Sequence, residues 1–212
     1  MSAYDLEEQE QLDVLKDWWK RNGNTVLLGI ATFVVAVGGM QGWRYYQNSQ
    51  RQQAALVYET VQTGVQNKDV KRVRDAAGQL MEKYPATPYA TRAALLAASA
   101  NQEAGDAKSA KAQLQWVAEH AKEAAARDIA RLRTAGMLLD EKNYAEAMKQ
   151  LESKHEPAFD SLFSDLKGDV LVAQGKAADA RAAYQAALDK MDEKSAYRQL
   201  VQMKLDGLGA RG

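Results

Sequence analysis

The stretch GDVLVAQGKAADARAAY, residues 168–184, decides the reading of the chain. A small residue, Gly168, is followed seven positions on by the polar turn Gly175-Lys176. Ala180 comes five positions later, and the large Tyr184 four after that. The same order stands at Ala135, Lys142-Asn143, Ala147 and Leu151, and at Ala98, Gly105-Asp106, Ala110 and Leu114. It stands more loosely at Gly64, Lys71, Ala76 and Leu80, so the successive alanines lie 34, 37 and 33 residues apart. Two antiparallel helices approach closely only where a small side chain on one meets an alanine on the other. The large residue one turn later lies on the same face and fills the seam to the next pair. Each pair alone leaves an apolar face bare, so the pairs must stack.

The composition agrees. Three prolines, abundant Ala, Gln, Lys, Glu and Leu, and no alternating β-branched run point to an all-α chain. Gly105 and Gly175 suit the left-handed turn that ends a helix. Tyr84-Pro85-Ala86-Thr87-Pro88 stops the second helix of the first repeat. A last helix over about Ser195–Leu208 caps the array, and the glycine-rich tail Gly207–Gly212 is expected to fray. The spacing resembles the tetratricopeptide repeat in degenerate form. The large aromatic residue usual near a repeat's start is replaced by Ala94, Arg131 and Ser164.

Upstream of the repeats, no residue from Asn22 to Trp43 carries a charge. A bilayer core of about 30 Å takes roughly 20 helical residues. Trp18, Trp19, Lys20 and Arg21 stand at one end and Trp43, Arg44, Tyr45 and Tyr46 at the other, an arrangement that suits the two lipid headgroup zones. The acidic opening, with Asp5, Glu7, Glu8, Glu10 and Asp13, is unlike a cleaved leader. The chain therefore reads as a residue 1–22 segment, a transmembrane helix over 23–43 and a repeat domain over 44–212. Lys16, Lys20 and Arg21 before the span, against Arg44 and Arg51 after it, favour residues 1–22 in the cytoplasm and the domain outside. Leu12, Leu15 and Trp19 share one face before the span, read either as an amphipathic lead-in or as the membrane helix extended by two turns. Gly38 and Gly42 have the spacing that admits a second membrane helix.

Chemistry is not in evidence. The 28 basic and 28 acidic residues cancel, without the basic excess of a nucleic-acid-binding protein. Zero cysteines exclude disulfides, thiolate zinc sites and a lipoprotein anchor. His120 and His155 stand apart and read as solvated; Asp165 with Asp169 reads as a wet helix face. No catalytic residue, metal site, cofactor or small-molecule substrate is expected. What an array offers is a groove along the first helix of each pair. Its candidate lining is Arg92, Leu95 and Gln102, then Ile129, Leu132 and Leu139, then Leu162, Asp165, Asp169 and Val172. Two readings of the apolar members stand open: a peptide-binding surface, or packing inside the array.

Taken whole, the chain resembles the YfgM family of Gram-negative bacteria, ancillary subunits of the SecYEG translocon. The resemblance rests on Asn22-Gly23, on Gly42-Trp43-Arg44-Tyr45-Tyr46, and on Asp165-Leu166-Lys167-Gly168-Asp169 leading to Gly175 and Ala180-Arg181. The ending Gln202-Met203-Lys204-Leu205-Asp206-Gly207-Leu208 completes it. It implies a single-pass inner-membrane protein with a periplasmic repeat domain, partnered by SecYEG and the chaperone PpiD, that helps pass emerging chains to periplasmic chaperones. A tetratricopeptide scaffold for another envelope complex is the alternative.

Overall fold

The computed structural model describes residues 3–209, with side chains from Glu10 onward. It divides into two compact units between Gln50 and Arg51. Among the described residues there are nine α-helices, one short 3-10 turn and no strand.

The first unit is the leading part of α1 (Ala3–Gln66). The lead-in and the apolar stretch thus share one helix. That helix is long and apolar enough to cross a membrane, and almost none of its apolar stretch is covered by protein. An apolar stretch of this length with so little of it covered suits a bilayer. Polar side chains at and near the span turn back on their own backbone: Thr32 Oγ1 donates to the Leu28 carbonyl at 2.8 Å, and Asn22 Nδ2 to that of Trp18 at 3.2 Å. Gly38, Gly39 and Gly42 face open space.

The second unit contains the end of α1 and then α2 (Val70–Lys83), α3 (Pro88–Glu103), α4 (Ala107–His120), α5 (Ala124–Asp140) and α6 (Tyr144–Leu151). A 3-10 turn over Pro157–Phe159 leads to α7 (Asp160–Ala173), α8 (Ala177–Asp189) and α9 (Tyr197–Gly209). From α2 onward each helix packs on the next, and α5 also meets α7. The array is four helical pairs and a cap. Gly207 to Gly209 continue α9, so the part of the tail expected to fray there is helical; residues 210–212 lie outside the described residues.

The four turns are built alike. Lys68, Gly105, Lys142 and Gly175 hold positive φ of 54°, 81°, 59° and 76°. The next amide, of Asp69, Asp106, Asn143 or Lys176, donates back to the carbonyl of Gly64, Asn101, Leu138 or Leu171 at 2.8–2.9 Å. This closes the first helix of each pair. Two lysines take a conformation that costs a side-chain-bearing residue roughly 1 kcal/mol. Asp69 and Asp106 then cap the following helix, accepting from the Arg72 and Ser109 amides at 3.0 Å.

This geometry corrects the register of the first repeat. Its turn is at Asn67–Asp69, and Lys71 already lies in α2. The counterparts of Ala98, Ala110 and Leu114 are therefore Val61, Val73 and Ala77, giving spacings of 37, 37 and 33 residues from Val73 through Ala110 and Ala147 to Ala180. Valine replaces alanine at the crossing, so the opposite helix gives way. A Cβ on Gly64 would come within 2.8 Å of Val73 Cγ2. The other three repeats follow the expected register, and the small residue, the alanine and the large residue of each are buried.

His155 departs from the solvated reading. Its ring stacks on Phe163 at 3.8 Å between centroids and 7° between planes, and Nε2 stands 3.0 Å from Asp160. The connection after the short α6 folds back over the array. Buried Asp128 holds that connection in place by accepting from the Glu156 amide at 2.9 Å and from Arg131 at 3.1 Å. His120 is exposed and stacks on Trp116.

Candidate partner-binding groove

The first helices of the pairs carry the candidate lining, and packing sorts it into three groups. Arg92 and Gln102 on α3 are exposed. Leu162 and Val172 on α7 are open to solvent, at 38% and 36% of their surface. These four present side chains that a partner could touch, and half-buried Ile129 on α5 lies at the margin.

Leu95, Leu132 and Leu139 are half-buried. Leu95 packs on the cluster around Ala94, Ala98 and Leu114. Leu132 and Leu139 pack on the cluster of Ala135, Leu138, Ala147, Leu151, Phe163 and Val170. Here the contacts favour packing inside the array, because a leucine touching a core on one side is part of its wall.

Asp165 and Asp169 form the third group, and the structure overturns their reading as a wet helix face. Asp165 is 3% exposed. Lys204 Nζ on α9 lies 3.0 Å from both Asp165 oxygens and 2.8 Å from Asp169 Oδ2. Tyr197 donates to Asp165 at 2.6 Å, and Tyr184 donates to Asp169 at 2.7 Å. Burial, and then these hydrogen bonds to carboxylates, push both phenols well above the usual tyrosine value. Burial works against the Lys204 charge, but its bonds to Asp169 and Asp165 outweigh it and the ammonium pKa is raised. The cluster fastens the capping helix. Its sequence signal is faint: the partners on α9 sit 32 to 39 residues from the aspartates, and nothing local joins them.

Two features escape the sequence pattern. Arg133 on α5 donates to Ser99 Oγ at 3.0 Å and reaches the Leu95 carbonyl at 3.4 Å, tying α5 to α3. Beside Ser99 a cleft opens between the end of α1 and α3. No group of three or more His, Asp or Glu among the described residues is placed to hold a metal ion.

Comparison with known proteins gives these elements a family. Residues 16–210 match the tetratricopeptide repeat-like domain. A protein of Neisseria gonorrhoeae named ancillary SecYEG translocon subunit is 35% identical over 212 residues, covering 98% of this chain and all of that one. Its namesake in Haemophilus influenzae is 30% identical over 209 residues, covering 97% of this chain and all of the other. The Escherichia coli protein of the same name is 26% identical over 207 residues, 95% of this chain and 96% of that one. The matches span nearly the whole of each chain, and the chain belongs to the family of ancillary SecYEG translocon subunits with a tetratricopeptide repeat-like domain.

Proposed function

We propose that this chain is a non-enzymatic scaffold held at the SecYEG translocon by a single membrane span. Residues 1–22 lie in the cytoplasm, 23–43 cross the inner membrane, and 44–212 stand in the periplasm. The array passes emerging chains toward periplasmic chaperones, PpiD among them. The observation that carries the reading is the match to translocon subunits along nearly the whole length, apolar helix included. An uncovered apolar helix joined to an array with open first-helix faces suits a protein that works by contact beside a membrane machine.

The test is a mild-detergent pull-down of the full-length protein from its own membranes, with crosslinking and mass spectrometry. SecY recovered together with a periplasmic chaperone is the expected result. An unrelated envelope complex without any translocon subunit would replace the function and leave the fold standing. Because the chain has no cysteine, Gln102→Cys provides a unique label site. An impermeant maleimide added to intact spheroplasts should modify it, and protection there would invert the orientation.

Gly38 and Gly42 suit close packing against a second membrane helix, since nothing approaches them. Replacing both with leucine is expected to cut SecY or PpiD recovery severalfold while the protein still inserts. Unchanged recovery would free these glycines of that role.

A further inference from the structure

Ahead of the apolar span, α1 carries a stripe of exposed apolar side chains over residues 11–19. Leu12, Val14, Leu15, Trp18 and Trp19 are between 48% and 71% exposed. Gln11, Leu12, Val14, Leu15 and Trp18 border one shallow hollow, and the Trp18 and Trp19 rings stand 6.4 Å apart. At about 3.6 residues per turn, these side chains share roughly 160° of the helix circumference. Glu10, Asp13, Lys16, Asp17, Lys20 and Arg21 fill the remainder. Lys16 pairs with Asp13 at 3.1 Å, and Lys20 with Asp17 at 3.9 Å. The far face is therefore polar and electrically balanced.

The position of the stripe decides what covers it. It leads directly into Asn22-Gly23-Asn24, where the uncharged span begins. Trp19 reaches over Gly23, and a Cβ there would come within 3.2 Å of its Nε1. The aromatic pair thus stands at the mouth of the span, where indole rings meet lipid headgroups. A stripe this wide suits a plane better than the narrow seam offered by one neighbouring helix. A helix seated on Gly38 and Gly42 would leave it bare, because by the same arithmetic those glycines come round to the opposite side of α1. The junction lets the stripe reach the bilayer. Asn22, Gly23 and Asn24 are weak helix formers in a row, so α1 bends there at least cost. Asn22 Nδ2 already meets the Trp18 carbonyl at 3.2 Å, so that carbonyl keeps a donor when the turn opens.

We infer that the lead-in is a second membrane contact: α1 bends at Asn22-Gly23-Asn24, and the stripe lies along the bilayer surface with its apolar side in the headgroup layer. The inference rests on the membrane span of the proposed function and goes beyond it. The polar face sets the class of lipid. Its three acids cancel its three bases, so the contact draws on apolar burial and forms on zwitterionic phospholipid without an anionic one.

The chain has no cysteine, so the full-length protein accepts single nitroxide labels. Leu12→Cys and Leu15→Cys place one on the stripe, Asp13→Cys and Asp17→Cys on the far face, and Val35→Cys within the span. Each is reconstituted at one copy per nanodisc of phosphatidylcholine. Power-saturation spectra then compare collisions with oxygen and with a water-soluble nickel chelate. The oxygen-to-nickel ratio is expected to be severalfold higher at Leu12 and Leu15 than at Asp13 and Asp17. A label at Gln11→Cys should show the same excess and lose it when Leu12 and Leu15 are both changed to serine. Nickel-rich labels at all four positions from 12 to 17, with an oxygen-rich Val35, overturn the surface contact alone. A nickel-rich Val35 overturns the span itself. Stripe labels shielded from both reagents also overturn the contact, because protein and not lipid then covers them. An alternation that appears only when phosphatidylglycerol is added overturns it in favour of capture by the basic residues.

Discussion

Gly168→Ala is expected to destabilise the array by about 3 kcal/mol, at the upper end of what overpacking a tight core costs. For a domain of this size that lowers the melting temperature by roughly 6–12 °C. A Cβ at this position would overlap the Cε1 and Cδ1 atoms of Tyr184. The ring has no room to yield: it is 2% exposed, and its hydroxyl is held by Asp169 at 2.7 Å. The chain supplies its own rescue. The second and third repeats seat Ala98 with Leu114 and Ala135 with Leu151 at these positions, so the double variant Gly168→Ala with Tyr184→Leu should recover much of the loss. Gly136→Ala is the control. Nothing lies within 4 Å of its added Cβ, and alanine is the better helix former by about 1 kcal/mol, so it should be neutral or stabilising. Thermal melts of wild type, these three variants and Tyr184→Leu alone decide the matter, and additive single effects would rule out coupling between positions 168 and 184.

Asp165→Ala should cost about 2–3 kcal/mol and act first on α9. The variant leaves the Tyr197 hydroxyl without its acceptor and removes two of the three carboxylate oxygens around Lys204. Removing one partner of a buried ion pair costs roughly 3–5 kcal/mol. Here Asp169 still holds the lysine and a quarter of the Lys204 side chain is exposed, so the lower figure applies. Hydrogen exchange should show the amides of Tyr197–Gly209 opening while α3 and α4 stay protected. The cluster also sets an alkaline limit. Tyr184, Tyr197 and Lys204 all have raised pKa values in the folded chain. Above their ordinary values of 10.0 and 10.5 the unfolded chain releases protons that the folded one keeps. Their stabilisation is therefore complete below about pH 10 and falls as pH rises further. Asp165→Ala should make that alkaline fall shallower; an unchanged slope would mean the cluster does not set the limit.

How much of this was legible depends on distance along the chain. The apolar helix, the four pairs, the cap and the family follow from patterns that lie within about one repeat. Gly168 with Tyr184 and Ala98 with Leu114 report their packing because a helical pair brings them together at fixed spacing. The first repeat misleads because its signature is inverted. Val73 stands at the crossing and Gly64 yields to it, so a search for a small residue followed by an alanine locks onto Ala76, three positions late. Asp165 and Asp169 mislead differently. On their own helix they look solvated, and it is α9, with Tyr184 of α8, that covers them.

The sequence by itself determined that this chain is an all-helical repeat array behind one apolar helix, because periodicity and hydropathy are properties of single helices and adjacent pairs. Tertiary structure alone decided which first-helix residues stay open, where His155 stacks, how α9 is fastened and where a cleft opens beside Ser99. Each of those depends on what a neighbouring repeat places opposite, and a residue's local pattern does not record what covers it.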